Sequence, residues 1–402
     1  MNYRQYLISA LLSLSLIVAH AAPEAPKPEA KPVATQPTPA TAAAAAQPAP
    51  SPPTVTARAY ILLDFFSGET LAQLNADQRV EPASLTKLMT GYAVFKALAA
   101  DKVKLTDPVP ITEKAWRSEG SRSFVKVNTQ VPLEDLLKGM IIQSGNDASV
   151  ALAEHVAGSE EGFVTLMNGY AKELGMDHSH FTNSTGLPDP DLYVTARDVA
   201  TLGRAIIRDF PDYYKYYAIK EFSYNGITQY NRNRLLWRDQ NVDGIKTGHT
   251  ETAGYCLAAS ALRDGMRLIT VVLGTASESI RAKESLEMLN YGFRTFETHR
   301  LYDTKTALST VRVWKGATET LPLGVSKDLY ISVPRGQYKN LKATMEIDPA
   351  ITAPTNKGQR HGLVRVKLGD REILTHPLVA LQNVEQGSWW RRLVDTVLLW
   401  FK

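Results

Sequence analysis

"EPASLTKLMT", residues Glu81 to Thr90, sets a serine and a lysine three positions apart where a helical pattern begins. Leu85, Leu88, Met89, Tyr92 and Phe95 recur at the intervals of a helix with one buried face. On such a helix residues i and i+3 share a face, so the Lys87 amine reaches the Ser84 hydroxyl. A serine hydroxyl is a poor nucleophile until a neighbouring base takes its proton. A lysine serves when burial and nearby cations keep its amine neutral for part of the time. The bland alternative is a helix cap followed by a solvated lysine. A second S-x-x-K pair, Ser123 and Lys126, lies in "SRSFVKVNTQV", whose alternation predicts a strand. There an odd spacing sends the two side chains to opposite faces. Only the first pair has usable geometry.

Around this stretch the chain reads as one sheet built from sequence-distant strands and covered by helices. "ARAYILLDFFSGETLAQLNAD", from Ala57, predicts two strands joined at Ser67-Gly68. "VPLEDLLKGMIIQSGNDASVALAEHVAG" predicts two helical blocks broken at Ser144-Gly145-Asn146. "VDGIKTGHTETAGYCLAASALRDGMRLITVVLG" predicts a series of strands, with the helix "SESIRAKESLEMLNYGFRTF" after it. Beyond about Thr298 come short alternating runs with Gly, Pro and Asp turns, the pattern of a small all-β domain.

The ends are of a different kind. "MNYRQ", an apolar run and Ala19-His20-Ala21 form an export signal with cleavage expected after Ala21. Residues 22–55 are mostly Ala, Pro, Thr and Gln, the composition of a semi-extended tether. The last residues, "WWRRLVDTVLLWFK", put Trp389, Trp390, Leu393, Val394, Val397, Leu398, Trp400 and Phe401 on one half of a helical wheel. Arg391, Arg392, Asp395, Thr396 and Lys402 take the other half, with Leu399 the exception. Too short to span a bilayer, this segment suits a helix lying in the membrane interface, with a terminal helix docked on the protein's own core as the alternative. The expected organisation is therefore 1–21 signal peptide, 22–55 tether, 56–298 sheet-and-helix domain, 299–385 β domain and 386–402 amphipathic helix.

Among 402 residues, 45 basic and 41 acidic side chains leave a net charge of +4, with no basic run to favour nucleic acid. Cys256 is the single cysteine, so no internal disulfide is possible, and its apolar setting predicts a buried, inert thiol.

Two further motifs join Ser84 and Lys87. Ser144-Gly145-Asn146 interrupts a helical block, where a plain turn or cap is the alternative. Lys246-Thr247-Gly248 in "DGIKTGHT" sets a cation, a hydroxyl and a glycine on a strand, suited to an anionic substrate. An ordinary strand-end turn is its alternative. Taken in order, the three match the set used by penicillin-recognising serine enzymes. From about Thr54 to Val384 the chain resembles the low-molecular-mass penicillin-binding proteins of the penicillin-binding protein 5 type, which are D-alanyl-D-alanine carboxypeptidases. "ELGM", "TGL", "YVTARDVA" and "NRNRLLW" look like that family as well. The long proline-rich tether departs from its usual short leader.

The resemblance implies an α+β fold, with an antiparallel sheet covered by helices, then the β domain and the amphipathic helix. It implies that Ser84 attacks the carbonyl between two terminal D-alanines of a peptidoglycan stem peptide, with Lys87 as general base. The backbone N–H groups of Ser84 and His249 form the oxyanion hole. Ser144, Asn146 and Lys246 relay protons and hold the peptide, while Thr247, beside Gly248, and Arg281 bind the terminal carboxylate. Arg197 in "TARD" has a structural role. No metal or cofactor is called for, β-lactams are covalent inhibitors, and the place of action is the periplasmic side of the cytoplasmic membrane. A class A β-lactamase on the same fold needs a Glu-x-x-Leu-Asn segment that does not occur between Asn146 and Lys246. An endopeptidase acting on D-alanyl cross-links shares every residue named here and stays open. An inactive peptidoglycan-binding scaffold is disfavoured by the intact motifs.

Overall fold

The computed structural model describes residues 49–401, so the expected signal and most of the tether lie outside the described residues. The central sheet has five strands: β1 (Ala59–Asp64), β2 (Thr70–Leu74), β3 (Val242–Thr250), β4 (Gly254–Arg263) and β5 (Met266–Thr275), in the order β2-β1-β5-β4-β3. Every ladder in it is antiparallel. All of β1 is buried because the sheet is covered on both faces. Side-chain alternation sends Ile61 and Leu63 into one core and Tyr60 and Leu62 into the other. Helix α1 (Lys87–Ala99), α2 (Asn146–Ala157) and α3 (Ala196–Asp209) contribute to the first core. Helix α4 (Glu278–Thr295) closes the second. The expected two strands at residues 57–77, the broken helical block and the later strands with their helix are all present.

Helix α1 departs from the one-sided expectation. Apart from Lys96 it is buried all round out to Leu98, since it runs between the sheet and its neighbouring helices. The stretch 121–127 also differs. Its alternation is real, with Ser123 and Val125 inside and Phe124 and Lys126 outside, but it has no strand ladder. Only Gln130–Pro132 pairs, with Pro108–Pro110. The backbone of 121–127 is held by a side chain instead, as described below. At the other end of the domain, Pro50 accepts a hydrogen bond from Tyr291 of α4 at 2.7 Å, and both Thr56 N and Oγ1 donate to Glu284 at 2.6 Å. The last residues of the tether thus lie along this helix.

The second domain begins as α4 ends, at Phe296. It contains a two-stranded sheet, Phe296–Tyr302 with Leu329–Pro334, and a six-stranded one. Its joint to the first domain is built on Asp64, which is fully buried. The Asp64 carboxylate accepts from Ser67 N and Oγ at 2.7 and 2.8 Å and from Thr298 Oγ1 at 2.7 Å. Ser332 Oγ lies 2.9 Å from Ser67 Oγ and 3.0 Å from Thr298 Oγ1, and Phe66 stacks on Tyr330 with centroids 4.9 Å apart.

The chain closes with α5 (Trp389–Leu399). The polar half of the predicted wheel faces the β domain: Asp395, only 4% exposed, accepts from Arg312 Nη2 at 3.1 Å and from the Lys315 amide. The apolar half faces out.

Removing the Asp64 carboxylate strands two hydroxyls and an amide at the joint. Asp64→Ala is expected to lower stability by about 2 kcal/mol, read as a lower denaturation midpoint in urea. An unchanged midpoint would show that the joint contributes nothing to stability.

Candidate active site

Ser84 sits in a 3₁₀ turn, Ala83–Thr86, that opens α1, and Lys87 is the first residue of the helix. Lys87 is 1% exposed. Its Nζ donates to Asn146 Oδ1 at 2.6 Å and to the Thr185 carbonyl at 2.5 Å, and lies 3.2 Å from Ser84 Oγ. Neither the carbonyl nor Oδ1 can donate. A neutral amine therefore spends both N–H bonds on them and turns its lone pair to the Ser84 O–H. Burial, and then the charge of Arg232, lower the Lys87 pKa to about 7 against the opposing pull of Asp147. The amine is thereby poised to take a proton near neutral pH.

Lys246, on the edge strand β3, is buried nearby and donates to the Thr247 carbonyl at 3.2 Å. Burial first, and then the charges of Lys87, Arg232 and Arg281, push its amine well below the ordinary lysine range. Arg281 of α4 is buried, donates to the Gly248 carbonyl at 3.2 Å and lies 5.5 Å from the Tyr255 ring centroid. The His249 ring lies on that of Tyr255 with centroids 4.0 Å apart. Ser144 adopts a left-handed backbone, φ 69°, and its buried Oγ has no hydrogen-bond partner among the described residues. A strained residue with an unpaired hydroxyl costs about 1–3 kcal/mol on each count, and such residues gather at functional sites. The relay expected between Ser144 and Lys246 is not a hydrogen bond here.

All nine expected residues come together. Ser84, Ser144, Asn146, Thr247, Gly248, His249 and Arg281 line a cleft of about 770 Å³, and Lys87 and Lys246 lie buried beside them. Ser123 and Lys126 do not join them. Ser123 is buried in the 121–127 loop, while Lys126 points to solvent. Arg197 forms an ion pair with Asp77 at 2.7 Å and also binds Gln73, in keeping with a structural role. Cys256 is buried, and burial pushes its thiol up. Gly248 does allow a close approach, but of the chain itself: a Cβ there would lie 2.9 Å from the Pro82 carbonyl of the Ser84 turn.

Two contributors escaped the motif reading. The turn at Asn183–Leu187 supplies the Thr185 carbonyl to Lys87 and is held by Ser184, whose N and Oγ donate to Glu160 at 3.0 and 2.7 Å. Its Gly186, at φ 82°, packs so tightly that a Cβ would fall 1.8 Å from the Ala83 carbonyl. The second is Asp147, next to Asn146 and fully buried. It accepts from the amides of Ser123, Ala148 and Val125 at 2.7, 2.9 and 3.2 Å. These bonds tie the 121–127 loop, whose Ser121 carbonyl accepts from Asn146 N at 2.7 Å, to the start of α2. "TGL" and the acid after "SGN" were the available signals.

A family profile described as D-alanyl-D-alanine carboxypeptidase matches residues 45–277, and one described as the penicillin-binding protein 5 C-terminal domain matches 296–386. The chain belongs to the D-alanyl-D-alanine carboxypeptidase family. It is 48% identical to the D-alanyl-D-alanine carboxypeptidase DacC of Escherichia coli over 87% of this chain and 89% of that one. Among solved structures, penicillin binding protein 5 from Haemophilus influenzae matches with a TM-score of 0.81 and 44% identity, over 84% of this chain and 99% of that one. The ampicillin-bound form of penicillin-binding protein D2 from Listeria monocytogenes matches with a TM-score of 0.56 and 28% identity, over 61% of this chain and 100% of that one. The enzyme is accordingly a D-Ala-D-Ala carboxypeptidase and penicillin-binding protein of the cell wall, with peptidoglycan as substrate.

Acylation by a β-lactam is expected to rise with pH through about 7 and then level off, on the reading that a neutral Lys87 amine takes the Ser84 proton. Asp147→Asn removes a charge that favours the ammonium, so this limb moves to lower pH while the plateau falls about tenfold as the loop loosens. A stopped-flow acylation profile that coincides with wild type would remove Asp147 from the site.

Proposed function

We propose that Ser84 is the nucleophile and Lys87 its general base in release of the terminal D-alanine from pentapeptide stems. The observation that carries this reading is the buried Lys87 amine, with two fixed acceptors and Ser84 Oγ 3.2 Å away. Ser84 Oγ bonds to the carbonyl carbon of the penultimate D-alanine as its proton passes to Lys87. The C–N bond then breaks, and the leaving amine takes that proton. Water hydrolyses the resulting ester, with Lys87 again as base. The N–H groups of Ser84 and His249 receive the oxyanion.

Thr247 and Arg281 hold the terminal carboxylate in a field that Lys246 strengthens. Asn146 fixes the amine, and the unpaired Ser144 hydroxyl serves the leaving nitrogen or the peptide. A β-lactam follows the same first step. Its opened ring keeps the leaving nitrogen tethered to an ester that hydrolyses slowly, which makes it an inhibitor.

The same reading places the enzyme on the periplasmic side of the cytoplasmic membrane, attached through α5. Among the described residues no helix is long and apolar enough to cross a membrane. Trp389, Trp390 and Leu393 are exposed with Trp400 and Phe401, the last two 81% and 85%, while Asp395 on the opposite side is buried. Indoles and aliphatic side chains facing out from a helix held by its polar side suit the interfacial region of a bilayer.

Fluorescent penicillin is expected to label the wild-type protein covalently, and Ser84→Ala to cut labelling by more than about 10⁴-fold. Labelling that persists in the variant would overturn the assignment of Ser84. Deleting residues 389–402 is expected to move the protein from the membrane pellet to the supernatant without detergent. Retention in the pellet would refute attachment through α5.

A further inference from the structure

His249 on β3 and Ser84 in the turn before α1 belong to distant segments, joined by more than the close approach of Gly248 to Pro82. Strand β3 ends at Thr250, and Glu251 to Ala253 lead into β4. Thr252 Oγ1 donates to Oε2 of Glu81, which stands three residues before Ser84 and 171 residues before Thr252. Thr250 Oγ1 lies 3.3 Å from Thr252 Oγ1 and accepts from the Ala253 amide at 3.0 Å. The amide can only donate and the carboxylate only accepts, so the direction of the whole chain is set. It runs from Ala253 N–H to Thr250, from Thr250 to Thr252, and from Thr252 to Glu81. Arg58, just before β1, secures the same turn by donating from Nη2 to the Thr252 carbonyl at 2.9 Å and to that of Ala253.

The Ser84 side has need of such a hold. Ala83, only 1% exposed, has a left-handed backbone at φ 47°. A residue with a Cβ adopts that conformation only where its surroundings impose it. Here Glu81 is tied to Thr252 on one side, and Gly186 packs against the Ala83 carbonyl on another. Neither Glu81 nor Thr252 lines the catalytic cleft, whereas Thr250, His249 and Ser84 all do. The influence of Glu81 on the reaction therefore passes through the backbone it holds.

We propose that Glu81 is a positioning residue of the oxyanion hole, closing a hydroxyl chain that sets the spacing between the N–H groups of Ser84 and His249. The inference rests on the assignment of those two groups to the oxyanion. Negative charge gathers on the substrate's carbonyl oxygen only as the bond from Ser84 Oγ forms. Misplaced donors therefore cost the transition state more than the bound substrate. The Glu81 carboxylate takes no proton in the reaction. Glu81→Gln still offers Oε1 to the Thr252 hydroxyl, whereas Glu81→Ala and Thr252→Val each break the chain at its last link.

The test follows acylation of the purified full chain by a chromogenic cephalosporin in stopped flow, separating the acylation rate constant from the Kd of the encounter complex. Glu81→Ala and Thr252→Val are each expected to lower the rate constant about tenfold with Kd unchanged, and the double variant to be no slower than either. Glu81→Gln is expected to keep most of the wild-type rate. Wild-type rates in both single variants overturn the proposal, as do a Glu81→Gln variant as slow as Glu81→Ala and a loss carried by Kd alone. Thr252→Val decides the matter where Glu81→Ala does not fold, since Thr252 is exposed. A mass spectrum that places the acyl group on a residue other than Ser84 strikes the oxyanion assignment itself, and the proposal with it.

Discussion

Everything in the site depends on keeping one lysine amine out of water. A charged ammonium buried at the start of α1 costs several kcal/mol after relaxation, so the amine gives up its proton far more readily than a solvated lysine does. The fold arranges this with apolar packing around nearly the whole of α1 and with the nearby charge of Arg232. Lys246 and Arg281 add to the positive field, and each is pushed below its ordinary range chiefly by its own burial. Against them stands the buried carboxylate of Asp147. A carboxylate entering the cleft supplies the missing negative charge. Substrate recognition and the activation of Lys87 therefore draw on the same imbalance.

Such a site needs its groups held to within a fraction of an ångström, and the backbone does most of this. Gly248 on β3 and Gly186 in the Asn183–Leu187 turn press against the Ser84 turn from different segments, leaving no room for a side chain. Asn146 is fixed through both its amide groups, with Nδ2 donating to the Glu119 carbonyl at 2.6 Å. The Ser84–Lys87 turn, Asn146 and the Thr185 carbonyl thus come from distant segments that meet beside the edge strand of one antiparallel sheet.

What the sequence made legible follows from the range over which each signal acts. Ser84 and Lys87 lie within one helical turn, and the strands around Lys246 carry continuous apolar runs, so local periodicity found both. The Thr185 carbonyl was invisible because a backbone acceptor has no residue identity, and only the nearby glycine marked the turn. Asp147 looked like any acid in the first turn of a helix; its bonds to Ser123 and Val125 span more than twenty residues of sequence. The same bonds explain why 121–127 misread as a strand. Alternating burial is shared by a paired strand and by an extended loop, and here the amides that a strand would give to a neighbour are given to one carboxylate.

The two ends of the molecule are coupled through the joint at Asp64. Phe66 stacked on Tyr330 and the hydroxyl network of Ser67, Thr298 and Ser332 fix the β domain against the strand-turn that also packs in the catalytic core. At its far side the β domain grips α5 by Asp395, with Arg312 and the Lys315 amide as partners. A helix tethered by a flexible segment would leave the catalytic domain free to tumble above a surface. One held by a buried carboxylate turns its indoles in a set direction relative to the cleft. With α5 lying in the membrane interface as proposed, the β domain stands as a spacer between that surface and the catalytic domain. The polar face of the helix, which the wheel assigns to water, is in this chain the face that sets that orientation.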